Sequence, residues 1–459
     1  MRVPAAVSVN RGRLPDVGPA TTFAFPAIAK STLENGMRVW TVRHTQVPLV
    51  SFMLLVRRGS AADPAGKEGL AAMTADMLDE GSGGRSSIEM HEALARIGAQ
   101  FDTDIGPDAT LASVTALSRV ADRALGLVAD IVARPSLTEA DFTRVRQLRL
   151  HRLTQLRDNP SAVADRIFMR MLYDSHPYGH TPTGTEQAIR AMTIDDVRAF
   201  HAHDIRPSAA TLVAVGDCEH EEIVRLAREA FAGWEGTSDE VAGEGMPLPD
   251  PPRLTIVPRR GAPQSELRIG HVAVARHTPD YHALIAGNMV LGGQFVSRMN
   301  LNLREHRGFT YGARTAFDFR RLAGPFALQV SVQTSATAEA IREAIGEIDG
   351  VRGSRPITSD ELALGVAALT RGYARNFETA EQIARSVMQL ALYDLPDDYF
   401  AEFVPRIEQV TPETASRVLA QHVHPERLAT LIVGDLDAVA PGVRELGLGE
   451  PIVLAADTF

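Results

Sequence analysis

Two residues in the second half of the chain, Arg304 and Tyr311, have side chains that could stabilise a developing negative charge. They are seven residues apart, so a single turn of the chain could bring a guanidinium and a phenol to the same place. Both groups are strong hydrogen-bond donors, fit to hold a peptide carbonyl and the oxyanion that it becomes when attacked. Alternatively, Arg304 pairs with a surface carboxylate and Tyr311 is a half-buried strand residue. The spacing alone leaves both interpretations open.

The surrounding residues predict a helix, a turn and a strand that would position this pair. Two consecutive glycines at 292 and 293 favour the end of a helix, and Ser297 can cap a short new helix that reaches Leu303. Gly308 can end that helix, after which residues 310–319 are predicted to form a strand. The guanidinium and the phenol would then lie on either side of one helix-to-strand turn.

The composition restricts the classes of partner and compartment. The chain has 459 residues, 45% of them apolar and 23% charged, which is typical of a globular protein with more than one domain. A net charge of −10 argues against nucleic acid as the main partner. The single cysteine, Cys218, excludes an internal disulfide and fits a reducing compartment. No segment has the apolar run of a secretion signal or a membrane span, so no membrane contact and a cytoplasmic location are expected, with a periplasmic location as the alternative if a leader was removed.

Several matching residues recur at one fixed offset, which indicates an internal duplication. Thr193 and Thr411 each open a helical segment, and Asp217 and Asp435 each follow a buried strand and a glycine. Both pairs are 218 residues apart, from 411 − 193 and from 435 − 217. Repetition at a constant offset is the sequence signature of duplicated structural units.

The predicted fold is α+β, with two duplicated halves that each contain mainly antiparallel sheet flanked by helices, in a clamshell arrangement. An irregular arm of residues 1–30 precedes a first half of residues 31–235. Residues 236–253 are rich in glycine and proline and predict a linker, and residues 254–459 form the second half. A mobile linker also predicts that the halves open and close around a bound ligand.

Periodicity predicts the elements of the first half. An Asn-Gly turn at 35–36 predicts a hairpin, and apolar runs predict buried strands. The predicted helices cover 69–78, 89–97, 120–132, 142–156 and 196–203, and the predicted strands 49–57, 101–104, 109–116 and 211–217. The arginines between 142 and 157 are interpreted as a solvated face or a partner contact.

The chain resembles the pitrilysin and insulinase metallopeptidases, the family that includes the mitochondrial processing peptidase. The resemblance covers nearly the whole chain and is specific because several short motifs occur in the family's order and spacing. These motifs are NG at 35–36, RGS at 58–60, GLA at 69–71, GS at 81–82, HPY at 176–178, VGD at 215–217, and LRE through YG across 303–312.

The resemblance fails at the zinc site. Active members of the family carry H-x-x-E-H on a helix of the first half, in which two histidines and a distant glutamate bind zinc and the motif glutamate activates water. At the matching positions this sequence has Ala72, Ala75 and Asp76, and His151 lies about where the distant glutamate belongs. Because a catalytic zinc site needs three protein ligands, we expect no metal here. The remaining histidine pairs also lack the spacing of a metal site.

Unlike the first half, the second half keeps residues that match the family's active site. In the family, an arginine and a tyrosine from the C-terminal half reach the active site, and the resemblance places Arg304 on the substrate backbone and Tyr311 on the oxyanion. It also implies peptide substrates, bound as an extra strand on a sheet edge. Some bacterial members divide the site between two chains. The chain is thus predicted to be the non-zinc-binding subunit of a heterodimeric zinc metalloendopeptidase, inactive alone, with the zinc in a homologous partner.

Two other functions remain open. A purely structural subunit of the same fold would have no role in proteolysis, and a homodimeric peptide-binding protein would have no hydrolytic partner. Substitution of Arg304 or Tyr311 would separate the structural subunit from the peptidase subunit.

Overall fold

The computed structural model describes residue 12 and residues 24–238 and 250–454. Most of the predicted N-terminal arm and residues 239–249 of the predicted linker lie outside the described residues. We call residues 24–238 the first half and residues 250–454 the second half.

The first half alternates short strands with helices. Its strands are β1 Ala29–Thr32, β2 Arg38–Arg43, β3 Leu49–Val56, β4 Gly81–Ser82, β5 Arg85–Ser86, β6 Phe101–Ile105, β7 Thr110–Leu117 and β8 Ala210–Gly216. Its helices are α1 Leu70–Met77, α2 Ser87–Arg96, α3 Ala121–Ala133, α4 Glu139–Arg157, α5 Pro160–Tyr173, α6 Glu186–Ala191, α7 Ile194–Asp204 and α8 His220–Ala230.

The second half has the same kind of alternation. Its strands are β9 Leu254–Pro258, β10 Gln264–Val272, β11 Ala313–Phe317, β12 Pro325–Gln333, β13 Ala429–Gly434 and β14 Ile452–Val453. Its α-helices are α9 Tyr281–Asn288, α10 Arg298–Asn300, α11 Thr337–Arg352, α12 Ser359–Thr370, α13 Ala380–Leu392, α14 Tyr399–Glu408, α15 Pro412–His422 and α16 Leu436–Arg444. Two π-helical turns, Met289–Gly293 and Leu301–His306, extend α9 and α10. None of the described helices combines the length and apolar composition needed to cross a bilayer.

The two large sheets share one topology. The strand order is β1-β2-β8-β3-β7-β6 in the first half and β14-β9-β13-β10-β12-β11 in the second. In each sheet the second and third strands are parallel, β2 with β8 and β9 with β13, and the three pairings that follow are antiparallel. Thr193 and Thr411 cap the corresponding helices α7 and α15 with their hydroxyl oxygens. The predicted α+β class and the duplication are therefore confirmed. The outer strands differ, since β1 is antiparallel to β2 whereas β14 is parallel to β9.

Each sheet is covered on one face by helices of its own half and on the other by helices of the opposite half. Along β3, Phe52 and Leu54 enter a cluster with first-half helices, whereas Met53 and Leu55 enter a cluster with α13 and α14. Successive side chains of a strand point to opposite faces, so a strand buried on both faces needs an uninterrupted apolar run, as β3 has.

The second-half sheet is covered reciprocally by α5 of the first half. Ile167, Phe168 and Leu172 of α5 pack against β9 and β13. Arg268 of β10, which is almost fully buried, donates hydrogen bonds to the Asp165 carboxylate at 2.7 Å and to the Ser161 hydroxyl at 2.7 Å on the same helix. The halves are interlocked through two apolar clusters and this polar contact.

The interlocked halves argue against the predicted opening between them. Separating the halves would expose to water the two apolar clusters that contain Met53 and Leu172. Each large apolar side chain exposed in this way costs about 1.5–3 kcal/mol of free energy. The opening of the two halves around a ligand stays a prediction, and it would have to offset the cost of exposing these clusters.

A buried histidine in the second sheet should make stability depend on pH. His271 of β10 accepts a hydrogen bond from the His424 backbone N–H at Nε2, so Nδ1 carries the proton and donates to the Val272 carbonyl. Burial, assisted by the neighbouring His424 and Arg427 and opposed by Glu426 and the Val272 contact, lowers the pKa of His271 from 6.5 to about 4.

The sign follows from the proton count. Between pH 6.5 and 4 the unfolded chain binds a proton at this position that the folded chain does not, so the free energy of unfolding falls as the pH drops through this window. From pH 7.5 to pH 5 we expect His271 to contribute a loss of about 2 kcal/mol. Urea unfolding of the wild type and of His271→Gln, which can still accept from His424, measures this loss as the difference in their pH dependence. Parallel pH profiles would contradict it.

Candidate functional site

The residues predicted to act on substrate lie in a helix–turn–strand unit of the second half. Helix α10 continues into the π-helical turn Leu301–His306, and β11 begins at Ala313. Ser297 occupies the N-cap position of α10, as predicted, but its side chain makes no capping hydrogen bond with the helix. The helical segment extends past the predicted end at Leu303 to His306. The chain then turns away at Gly308, which has the left-handed backbone conformation with φ of 66°.

A buried asparagine fixes the helix to the strand. The Asn300 side chain donates to the Ala313 carbonyl at 2.9 Å and accepts from the Ala313 N–H at 2.9 Å, and it also donates to the Gln294 carbonyl at 3.1 Å. The first residue of β11 is thereby held against α10. Sequence reasoning did not single out Asn300, although a short amide inside a helical segment is a signal for such a local contact.

Two arginines of this unit anchor it to neighbouring helices. Arg298 forms a two-point ion pair with Glu361 at the start of α12, with both N–O distances 2.7 Å, which lowers the pKa of that carboxyl to about 2. Arg307 contacts Glu339 and Glu343 of α11 at 2.6 Å each. Both guanidinium groups have an evident structural role.

The third arginine, Arg304, has no such anchor. Its guanidinium carbon lies 4.0 Å from the centre of the exposed Phe295 ring, and its one carboxylate contact is with the adjacent Glu305, at 3.5 Å. Among the described residues, its buried Nη1 has no hydrogen-bond partner. Because an unsatisfied buried donor is costly, this N–H lacks the acceptor that would normally accompany its burial.

Tyr311 lies in the turn and projects into solvent. Its side chain is 94% exposed. The Thr310 hydroxyl bridges the N–H and carbonyl of Gly312 at 3.1 and 3.0 Å, which fixes the turn around Tyr311. The predicted strand start at Thr310 is wrong by three residues, because this turn occupies the intervening positions. Tyr311 is therefore not a half-buried strand residue. In the described part of the chain, no hydrogen bond or cation–π contact joins it to Arg304.

The residues predicted to occupy the positions of the family's zinc motif lie on α1. Ala72 and Ala75 are buried, and Asp76 follows them on the same helix. Asp63 holds the N-terminus of α1, since its carboxylate accepts from the Gly69 and Ala71 N–H groups at 2.6 Å each.

Asp76 is paired with a residue that sequence reasoning assigned differently. The Arg149 guanidinium forms an ion pair with the Asp76 carboxylate and also donates to the Pro182 and Thr183 carbonyls, at 3.1 and 3.4 Å. Its side chain is 11% exposed, so its assignment to a solvated face is wrong. A sequence signal existed, because Arg149 falls at helical spacing between the buried residues Val145 and Leu153 of α4.

His151, predicted to stand near the position of the family's distant glutamate, does not meet Asp76. It is exposed and hydrogen-bonds to Gln147 one turn earlier on α4, at 2.8 Å. Two further arginines of the predicted basic face also have partners, Arg144 with Glu80 and Arg157 with Glu186. That face is largely engaged in contacts within the chain.

Comparison with known proteins assigns this architecture to a family. A sequence model described as insulinase, peptidase family M16, matches residues 38–186. A second, described as the peptidase M16 inactive domain, matches residues 191–369, the part that contains Arg304 and Tyr311. The chain belongs to the M16 family of peptidases.

Similar M16 proteins align along most of the chain. An uncharacterized zinc protease of Mycobacterium tuberculosis is 25% identical over 424 residues, which cover 92% of this chain and 96% of that protein. A probable mitochondrial-processing peptidase subunit beta of Schizosaccharomyces pombe is 23% identical over 275 residues, covering 59% of this chain and 60% of that protein.

Solved structures show the same fold. The M16 inactive domain from Pseudomonas fluorescens superposes with a TM-score of 0.81 at 23% identity, covering 89% of this chain and 98% of that one. A protease from Helicobacter pylori superposes with a TM-score of 0.82 at 19% identity, with 89% and 99% coverage.

The residues at the predicted zinc-motif positions do not fit zinc. The alanines supply no ligand atom, and Asp76 is paired with a guanidinium. Across residues 24–238 and 250–454, no group of three or more histidine, cysteine, aspartate or glutamate side chains could hold a metal ion. At the positions that the resemblance matches to the zinc motif, this chain has two alanines and an aspartate in an internal ion pair.

This ion pair should show strong energetic coupling. Asp76→Ala leaves the buried Arg149 cation without its carboxylate, whereas in the double variant with Arg149→Met no unpaired charge remains. A double-mutant cycle by urea unfolding is expected to give a coupling of about 1–3 kcal/mol.

The matched control for this cycle is Arg96 with Glu92, a pair of the same chemistry whose side chains are both exposed on α2. The coupling free energy measured in that cycle should be less than about 0.5 kcal/mol. Equal coupling in the two cycles would show that Arg149 does not act as a buried counter-ion.

Proposed function

We propose that this chain is the non-zinc-binding subunit of a two-chain M16 metalloendopeptidase. The observation that carries the proposal is the contrast between its two halves. The second half presents a fully exposed phenol at Tyr311 and an unsatisfied guanidinium at Arg304, while the motif positions of the first half hold Ala72, Ala75 and an ion-paired Asp76.

A homologous partner with an intact zinc motif would complete the site. The zinc protease relatives support a proteolytic setting, and the relative named as a processing-peptidase subunit supports assembly from more than one chain. Bound in the partner, the zinc would supply the activated water for peptide hydrolysis. The chain described here would supply groups that bind and orient the peptide.

Each side chain then has a defined task. Arg304 would donate a guanidinium N–H to a backbone carbonyl of the peptide, with its guanidinium packed over the Phe295 ring. Tyr311 would donate its O–H to the carbonyl oxygen of the scissile bond as negative charge builds on it. The edge strand β11 begins two residues after Tyr311, so a peptide added along this edge would pass the phenol.

The test is reconstitution with the zinc-motif relative from the same genome. We expect this chain alone to hydrolyse no peptide and to hold no zinc, and the mixture to be active with about one zinc per pair. Chelator-sensitive hydrolysis by the purified chain alone would refute the proposal. An assembled but inactive pair would favour the structural subunit, and a homodimer that binds peptide without any partner would favour the peptide-binding protein.

A further inference from the structure

A cleft of about 860 Å³ in the first half has an excess of positive charge. It is lined by the C-terminus of α4, one side of α5, the loop of residues 179–185, and α6. Four arginines line it against two glutamates, although the whole chain carries a net charge of −10. The arginines are Arg157, Arg166, Arg170 and Arg190, and the glutamates are Glu68 and Glu186.

Three of these arginines have a carboxylate partner. Arg157 and Arg190 both pair with Glu186, and Arg170 approaches Asp174 at 3.4 Å. Arg166 differs, because its protein acceptor among the described residues is the Gly184 carbonyl, at 3.0 Å, and none of their carboxylates reaches it. Burial and the nearby Arg157 lower the pKa of Arg166, because both disfavour its charged form. A bound anion would act as the counter-ion that stabilises this charge.

The loop that holds Arg166 is sterically fixed. Gly184 has φ of 76°, and a Cβ at this position would lie 2.1 Å from the Glu68 carbonyl oxygen, so a side chain is excluded. The preceding carbonyls of Pro182 and Thr183 are held by Arg149 from α4. The loop that holds the Arg166 guanidinium at the cleft is therefore rigid. A rigidly positioned side chain is suited to binding a ligand in one defined geometry.

We propose that Arg166 is the centre of an oxyanion-binding site that takes the carboxylate or phosphate group of a small ligand or peptide end. A guanidinium presents paired N–H groups that match both oxyanions, and an oxyanion would supply the missing counter-ion. The cleft volume is in the range of ligand pockets, so the body of the ligand would occupy the remaining space. The site does not depend on the proposed peptidase role.

Calorimetric titration of the full chain at low ionic strength tests the proposal. The probes are inorganic phosphate, phenyl phosphate, and a hexapeptide with a free C-terminus beside the same peptide amidated. We expect saturable binding of at least one oxyanion probe, weakened about tenfold or more by Arg166→Met. Preference for the free over the amidated peptide would identify a peptide carboxylate, and preference for the phosphates a phosphorylated ligand.

The control is Arg152→Met, which removes an exposed arginine of α4 that does not line the cleft. It should change affinity by less than about twofold, since an exposed charge outside the cleft acts on the ligand only weakly through water of high dielectric constant. Arg166→Lys keeps the charge and should retain part of the phosphate affinity, which tests the site if the methionine variant folds poorly. Absence of saturable binding for every probe, or equal weakening by Arg152→Met, would overturn the proposal.

Discussion

Replacing Tyr311 with phenylalanine should lower kcat of the reconstituted peptidase by about 10²-fold or more. The oxyanion forms only as the peptide bond is attacked, so loss of its donor should reduce kcat and leave KM nearly unchanged. The side chain is 94% exposed, so the change should not affect folding of the chain. Initial-rate kinetics of the wild-type and variant pairs, together with thermal unfolding of this chain, measure both expectations.

Arg304→Gln tests the other half of the pair. Because Arg304 is assigned to peptide positioning, its loss should raise KM, with kcat/KM falling by about tenfold or more. Arg371→Gln is the matched control, since Arg371 is an exposed arginine at the end of α12, outside the unit of α10 and β11. Full activity of the Tyr311→Phe and Arg304→Gln pairs would show that the chain has a structural role only.

Leu172→Ala should destabilise the whole chain by about 2–5 kcal/mol. Leu172 is a first-half residue that is 1% exposed and packs against the second-half sheet. Its truncation loses the favourable free energy of burying the deleted methyl groups and leaves a cavity between the halves. Because each half completes the core of the other, we expect one cooperative unfolding transition that is shifted but not divided. Urea unfolding followed by circular dichroism measures the shift.

The control for this prediction is Leu148→Ala, the same truncation in a helix of the same half. Leu148 of α4 is 56% exposed, so its loss should change the free energy of unfolding by less than about 0.5 kcal/mol. Two separate transitions in the Leu172→Ala chain would mean that the halves are independent domains. A small effect of that substitution would mean that the shared cluster contributes little.

The elements that sequence reasoning predicted correctly are those with a local signal. Strands β3 and β8 are continuous apolar runs, and α4 has capping residues of its own, so each was predicted to within a few residues. Helix α5 was missed although Asn159 and Pro160 mark its start. Its apolar stripe packs on strands that lie about a hundred or more residues later in the chain, which local periodicity cannot identify.

The same distinction applies to the site. That Arg304 and Tyr311 belong to one helix–turn–strand unit could be predicted, because only seven residues separate them in sequence. The pairing of Asp76 with Arg149 could not, because it joins two helices that are 73 residues apart in sequence. For the same reason His151 was placed near the motif by family spacing alone, whereas in the structure its hydrogen bond is to Gln147 of the same helix.

The exchange of covering helices between the halves has a consequence for synthesis of the chain. The first-half sheet is complete once β8 has been translated at Gly216, but one of its apolar faces is covered by α13, which begins at Ala380. At about 5–20 residues per second, the ribosome needs roughly ten to thirty seconds to make the intervening segment. During that interval Met53, Leu55 and Val213 have no native partner helix, so the nascent first half presents a binding surface for chaperones until the second half emerges.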